Sequence, residues 1–274
     1  MNRIPPPTFG SEIFDLTMKG LETGLRVGDI ATYGFLSCGG DDNAAEVMTR
    51  AELLPFDCIP VKDGNRVVGV LQRSGEVAPR AAREVMRRLD DGLLVSSDEP
   101  LKRFIPLLVE SPHRLVVRGA GIEGIVTSSD IHKLPVRLLA FALVTHLEMT
   151  MADVIVRGVE DDDWKNLLSV GRQIRVMEKF EQLRTENFDP PLIEVTDFCD
   201  KRDVLAKRGL LSVPSKRKAV EDFERIEDLR NSVAHAATYA QSVEQLAEFV
   251  ELLELTEAWI VRLSHTGAAD ADAA

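Results

Sequence analysis

Two kinds of apolar pattern follow one another along this chain, and the change between them divides it. Up to about residue 135 the apolar residues come in short runs separated by polar or glycine-containing turns. One such segment passes from Ser37 through Asp41-Asp42-Asn43 and the helix-like AAEVMTRAELL to Asp57-Cys58-Ile59-Pro60-Val61. The turn Lys62-Asp63-Gly64-Asn65 then leads into Arg66-Val67-Val68-Gly69-Val70-Leu71. A second passes from Leu93-Leu94-Val95 through Ser97-Asp98-Glu99-Pro100, a helical LKRFIPLLVE and His113-Arg114-Leu115-Val116-Val117. A Gly119/Gly121 turn and Ile122-Glu123-Gly124-Ile125-Val126 complete it. Both read strand, helix, strand, Gly-containing turn, strand, and Asp63-Gly64 before a β-branched run is a hairpin signal in the first. Gly69 and Gly124 lie 55 residues apart (124 − 69) and Asp42 and Asp98 lie 56 apart (98 − 42), as expected of one α/β unit used twice.

Beyond Pro135 the spacing becomes helical. Proline at a first helical position opens PVRLLAFALVTHLEMTMADVIV, which is apolar on most sides and so predicts a buried helix. Asp161-Asp162-Asp163 reads as a cap before WKNLLSVGRQIRVMEKFEQL, and Pro190-Pro191 punctuates the chain before LIEVTDFCDKRDVLAKRG. Ser242 and Gln245 form a capping-box pattern. They open a last helix on which Leu246, Phe249, Val250, Leu253 and Leu263 recur at helical spacing, stopped at Gly267. Four or five helices without a strand pattern predict a bundle.

Composition refines this picture. A net charge of −12 repels nucleic acid and anionic membrane from the surface as a whole, so any contact with RNA needs a local basic patch. Cys38, Cys58 and Cys199 include no CxxC pair, which argues against a zinc ribbon or disulfide framework and suits a reducing compartment. The first ten residues lack the apolar core of a signal peptide. Leu134 to Val156 is the most lipid-like stretch, but Arg137, His146, Glu148 and Asp153 interrupt it, so no membrane contact and a cytoplasmic location are expected.

The second repeat ends Gly124-Ile125-Val126-Thr127-Ser128-Ser129-Asp130. This resembles the signature of the CBS domain: Gly, two residues, Thr or Ser, two residues, Asp. The resemblance covers residues 26–135 and implies a regulatory adenine nucleotide (AMP, ADP or ATP) whose ribose meets Thr127 and Asp130. A strand-to-helix junction suits this, offering free N–H groups to an anion beside a hydroxyl and a carboxylate. Ser128 shares the junction, and Arg114 is a candidate phosphate contact, as are Arg80, Arg83, Arg87 and Arg88. The plainer reading of Arg80 to Arg88 is the solvated face of an inter-repeat helix, and that of Thr127 and Asp130 is an N-cap with an acid in the first turn. The first repeat has Gln72 in place of Thr and Gly75 in place of Asp, so one nucleotide site per pair is expected.

Asp228-Leu229-Arg230-Asn231-Ser232-Val233-Ala234-His235 resembles the motif of HEPN domains, helical bundles that are often metal-independent endoribonucleases. Arg230, Asn231 and His235 match it residue by residue. The resemblance implies a homodimer, which would bring two motifs together. Histidine titrates near neutrality and can carry a proton; arginine can stabilise charge on a phosphorane. Glu148 is a candidate partner of Arg230. Lys201, Arg202, Lys207, Arg208, Lys216, Arg217 and Lys218 form a candidate RNA-binding patch or, equally, a solvated helix face. The alternative to a nuclease is a non-catalytic, nucleotide-responsive regulatory or dimerisation protein, in which Arg230 and His235 are structural.

The expected architecture is therefore an α/β CBS pair of two β-α-β-β-α repeats followed by an all-α helical bundle. Residues 1–25 are an N-terminal extension, 26–135 the tandem module (repeats about 26–80 and 84–135), 136–266 the bundle and 267–274 a disordered tail. No metal and no cofactor beyond the regulatory nucleotide is expected.

Overall fold

The computed structural model describes residues 11–73, 77–159, 162–211, 213–235 and 238–269. In chain order the first elements are α1 (Ser11–Gly24), β1 (Thr32–Tyr33), β2 (Cys38–Gly39), α2 (Ala44–Val47), β3 (Cys58–Asp63) and β4 (Arg66–Gln72). The second repeat follows with α3 (Ala82–Val85), β5 (Arg87–Arg88), β6 (Leu94–Ser96), α4 (Leu101–Phe104), α5 (Leu107–Glu110), β7 (His113–Arg118) and β8 (Gly121–Thr127). The remaining helices are α6 (Leu134–Gly158), α7 (Val170–Thr185), α8 (Phe198–Arg208), α9 (Lys216–Ala234) and α10 (Val243–Ala269). The chain divides into two compact units, residues 22–136 and the residues on either side of them.

The α/β unit holds two four-stranded mixed sheets, ordered β2-β3-β4-β5 and β1-β8-β7-β6. The hairpins β3–β4 and β7–β8 are the same object 55 residues apart. Asp63 faces Arg66 and Arg118 faces Gly121, and Gly64 and Gly119 occupy the left-handed region at φ 57° and 59°, which a two-residue turn requires. Even the bulge recurs, after Val61 and after Val116. What the repeat pattern did not predict is the origin of the edge strands. β1, which precedes the first repeat's hairpin, pairs with β8 of the second, and β5, which precedes the second repeat's hairpin, pairs with β4 of the first. Cys58, Val67, Val70, Leu93 and Leu115 form the apolar cluster shared by the two sheets.

Several sequence expectations are corrected. Arg80 to Arg88 is not one helix: α3 ends at Val85, and Arg87 and Arg88 lie in a strand, because β4 offers an open edge there. AAEVMTRAELL and LKRFIPLLVE each break into short turns, the second where Pro106 cannot continue α4. The extension before residue 26 contains α1, on which Met18 is buried.

In the helical unit, Asp161 lies outside the described residues, and α7 starts only at Val170 after a 3-10 turn. α10 runs through Gly267 to Ala269; residues 270–274 lie outside the described chain. α9 buries Ala219, Phe223, Ile226, Leu229 and Val233, a stripe at helical spacing. Phe223 packs between Phe198 of α8 and Trp259 of α10, with ring centroids 6.2 and 4.7 Å away. α6 is long and apolar enough to cross a membrane by composition, and 56% of its most apolar window is buried inside the protein. The capping pattern before α10 forms in part: Gln245 N–H donates to Ser242 Oγ at 3.3 Å, while Gln245 Oε1 accepts from Gln241 N–H rather than from Ser242.

Candidate functional site

β8 delivers Thr127 to a strand end, and a 3-10 turn from Ser128 to His132 follows at once. The chain reverses there because Asp130 reaches back. Thr127 donates to Asp130 Oδ2 twice, from its backbone N–H at 2.6 Å and from its hydroxyl at 3.1 Å. Asp130 is 8% exposed, and its other oxygen, Oδ1, lies 2.7 Å from Lys133 Nζ. Lys133 also donates to the carbonyl of Ile30 and, at 3.3 Å, to Thr32 Oγ1. The expected pair is thus brought together, and in the structure its members serve each other in the manner of an N-cap and a first-turn acid. Ser128 enters the junction through its backbone N–H, which donates to Pro112 O at 2.9 Å.

Arg114 is buried beneath α5 in β7. Its Nη2 is 3.4 Å from Leu107 O and its Nε has no partner, which leaves a buried cation with an unfilled donor. Arg83 and Arg87 are engaged by Asp41 and Asp90 at 2.6 and 2.9 Å.

The first repeat closes the corresponding junction. Arg73 N–H donates to Asp57 O at 2.8 Å, the counterpart of Ser128 to Pro112. The Arg73 side chain then donates to the carbonyls of Phe56, Met48 and Leu53 at 3.1, 2.7 and 3.0 Å. Gln72, at the position of Thr127, turns to the other repeat, its Nε2 3.2 Å from His113 Nε2. Gly75 lies outside the described residues. The sequence reading missed Arg73 and Lys133; the 55-residue offset, which sets Arg73 against Ser128 and Ala78 against Lys133, was the signal for both.

In the helical unit Arg230 is 36% exposed and its Nη2 lies 3.6 Å from Glu148 Oε2. The other oxygen of Glu148 accepts from Lys201 Nζ at 3.0 Å, and Lys201 also donates to Thr196 O at 2.8 Å. Asn231 and His235 are both exposed at the end of α9, where His235 N–H donates to Asn231 O at 3.0 Å. The expected basic patch is corrected at Lys201 and Arg202, while Lys207, Arg208, Lys216, Arg217 and Lys218 are exposed. Lys201 is only 4% exposed, because Phe198, Lys201, Val204 and Leu205 share the inner face of α8. Arg202 pairs with Asp203, Glu224 and Glu227 at 3.0, 3.3 and 3.6 Å. Lys207 donates to Leu167 O, and Arg217 pairs with Glu221. Nearby, Arg172 binds Asp200 and Asp197, and the bond to Arg172 holds the Asp197 carboxyl below its ordinary value. Among the described residues no group of three His, Cys, Asp or Glu is placed to hold a metal ion.

The family model of the CBS domain matches residues 82–137, so the second repeat is a CBS domain. No curated protein sequence matches the chain. Among solved structures, the CBS domain of a bacterial CNNM/CorC family Mg2+ transporter in complex with ATP is 16% identical. It covers 44% of this chain and 92% of its own, with a TM-score of 0.34. CBSX2 in complex with AMP is 20% identical over 39% of this chain and 93% of its own (TM-score 0.35). The CBS domains of a transcriptional regulator from Streptococcus pneumoniae are also 20% identical, over 39% and 96% (TM-score 0.35).

Proposed function

We propose that this protein is an adenine-nucleotide sensor with one ligand site, at the end of β8. The observation that carries this reading is the junction of the CBS domain at residues 82–137, where Thr127 and Asp130 stand together at a strand-to-helix turn. The ribose hydroxyls bind Asp130 and Thr127, Ser128 lines the turn, and the unfilled donor of buried Arg114 takes an anionic oxygen of the ligand. Arg73 fills the corresponding place in the first repeat, which accounts for a single site. The helical unit carries the output of a cytoplasmic homodimer. The test is calorimetric titration with AMP, ADP and ATP. One molecule bound per chain, lost in Thr127→Ala/Asp130→Ala, is expected; equal binding by that variant would overturn the site.

A second reading, in which the helical unit is a metal-independent endoribonuclease, is favoured by one observation. Glu148 steadies Arg230 at the surface, while Asn231 and His235 are exposed at the same end of α9. His235 then moves the proton, Arg230 stabilises the phosphate and Asn231 orients. Cleavage of mixed RNA in excess EDTA by the wild type, but not by His235→Ala, supports it. Absence of cleavage with and without nucleotide, while nucleotide still binds, leaves the non-catalytic regulatory output.

A further inference from the structure

We propose that Lys133 makes the site at the end of β8 select phosphorylated nucleosides over bare nucleosides; this rests on the nucleotide reading above. The two oxygens of Asp130 have different partners. Oδ2 is occupied by the backbone N–H and hydroxyl of Thr127, at 2.6 and 3.1 Å. A ligand hydroxyl therefore has Oδ1 as its acceptor, and Lys133 Nζ already holds Oδ1 at 2.7 Å. Whatever binds Asp130 meets Lys133 first.

An ammonium has three protons, and here they have three partners: Asp130, the Ile30 carbonyl and Thr32 Oγ1. When a ribose hydroxyl joins Lys133 at Oδ1, that oxygen accepts from two donors and its bond to the ammonium weakens. A bare nucleoside offers the ammonium nothing in return for the shared carboxylate. A phosphate supplies a second anion, and a charge-assisted bond more than restores what the sharing weakened. The side chain can make the exchange: Lys133 is 39% exposed against 11% for the Asp130 side chain, and its flexible stem lets the head move without its backbone. The first repeat agrees. At the 55-residue offset Gly75 stands for Asp130 and Ala78 for Lys133, so the cation occurs in the repeat that has the acid.

The test is calorimetric titration of the full chain with adenosine, AMP and ATP, using the wild type, Lys133→Gln, Lys133→Arg and Thr127→Ala/Asp130→Ala. The wild type is expected to prefer AMP to adenosine. In Lys133→Gln the affinity for AMP falls roughly tenfold, as for loss of one charge-assisted bond, while that for adenosine stays or rises. Lys133→Arg keeps the preference. Equal losses for adenosine and AMP in Lys133→Gln would make the lysine a purely structural tie and overturn the proposal, as would unchanged AMP binding. If the wild type binds none of the three, the nucleotide reading itself falls and takes this one with it. If it binds and only the double variant loses binding, the reading stands and Lys133 has no part in it.

Discussion

At the end of β4 the backbone N–H of Arg73 donates to Asp57 O; at the end of β8 the same bond runs from Ser128 to Pro112, 55 residues on. The frames coincide and the side chains do not. In the first repeat Arg73 closes the junction on three carbonyls and Gln72 turns away to His113. In the second, the small Ser128 leaves the place to Thr127, Asp130 and Lys133, which form a charged cluster reached from solvent. A duplicated frame need not be a duplicated site. The first junction is closed by its own repeat, with Gln72 tied to the other, while the second keeps an acid and a cation at the surface.

The two repeats differ most in the room they leave at their paired glycines, Gly69 and Gly124. A Cβ on Gly69 would lie 2.5 Å from Arg87 O and 2.7 Å from Met86 Sδ, so β5 must move; on its counterpart Gly124 it would meet Tyr33 and Val116 at 3.3 Å. Gly69→Ala is expected to cost about 3 kcal/mol and Gly124→Ala about 1 kcal/mol, the ends of the usual range for overpacking, as read from urea midpoints. Next in size is ligand-induced stabilisation. At a hundredfold excess over Kd a bound nucleotide adds about 2.7 kcal/mol; Thr127→Ala/Asp130→Ala should abolish that shift in melting, whereas Arg73→Ala should keep it while lowering the baseline.

The smallest effect is on pH dependence. Burial, and then the charge of Arg87, hold the His113 imidazole below its ordinary value, with Arg114 adding to the lowering and Asp57 opposing it. The folded form therefore resists a proton that the unfolded chain accepts. The contribution is fully present above the ordinary value of about 6.5 and is lost as pH falls below it, by at most about 1.4 kcal/mol per pH unit. His113→Gln, which keeps a partner for Gln72, should flatten the difference in urea midpoint between pH 7.5 and pH 5.5. An unchanged slope would remove His113 from the acid response of the α/β unit.

Much of the α/β unit was legible because its signals are local. Asp63-Gly64 and Gly119 specify the turns, the β-branched runs specify the strands beside them, and the recurrence of both exposes the duplication. The exchanged strands were not legible: β1 and β5 have two residues each, too short to carry an alternating pattern, and their partners are distant in sequence. In the helical unit the burial of Phe223, Ile226 and Leu229 follows from spacing, but Lys201 was read by its charge when its position decided its fate. It falls in register with Phe198 and Val204, and Glu148, an acid on an apolar helix, is what makes its burial tolerable. Arg230 and Glu148 could be suspected of pairing from the sequence; that Lys201 stands behind them could not.

The exchange of β1 and β5 also ties the two repeats into one piece. A cut between the repeats strips β1 from β8 and β5 from β4 and uncovers an unpaired backbone edge on each fragment. Residues 82–137, although they carry the whole CBS match, would take β5 away from the sheet it completes and lack the strand that completes their own. Such a fragment should be sticky rather than folded, and two half-chains mixed together should recover each other. Inheritance of either repeat alone would be a loss of both.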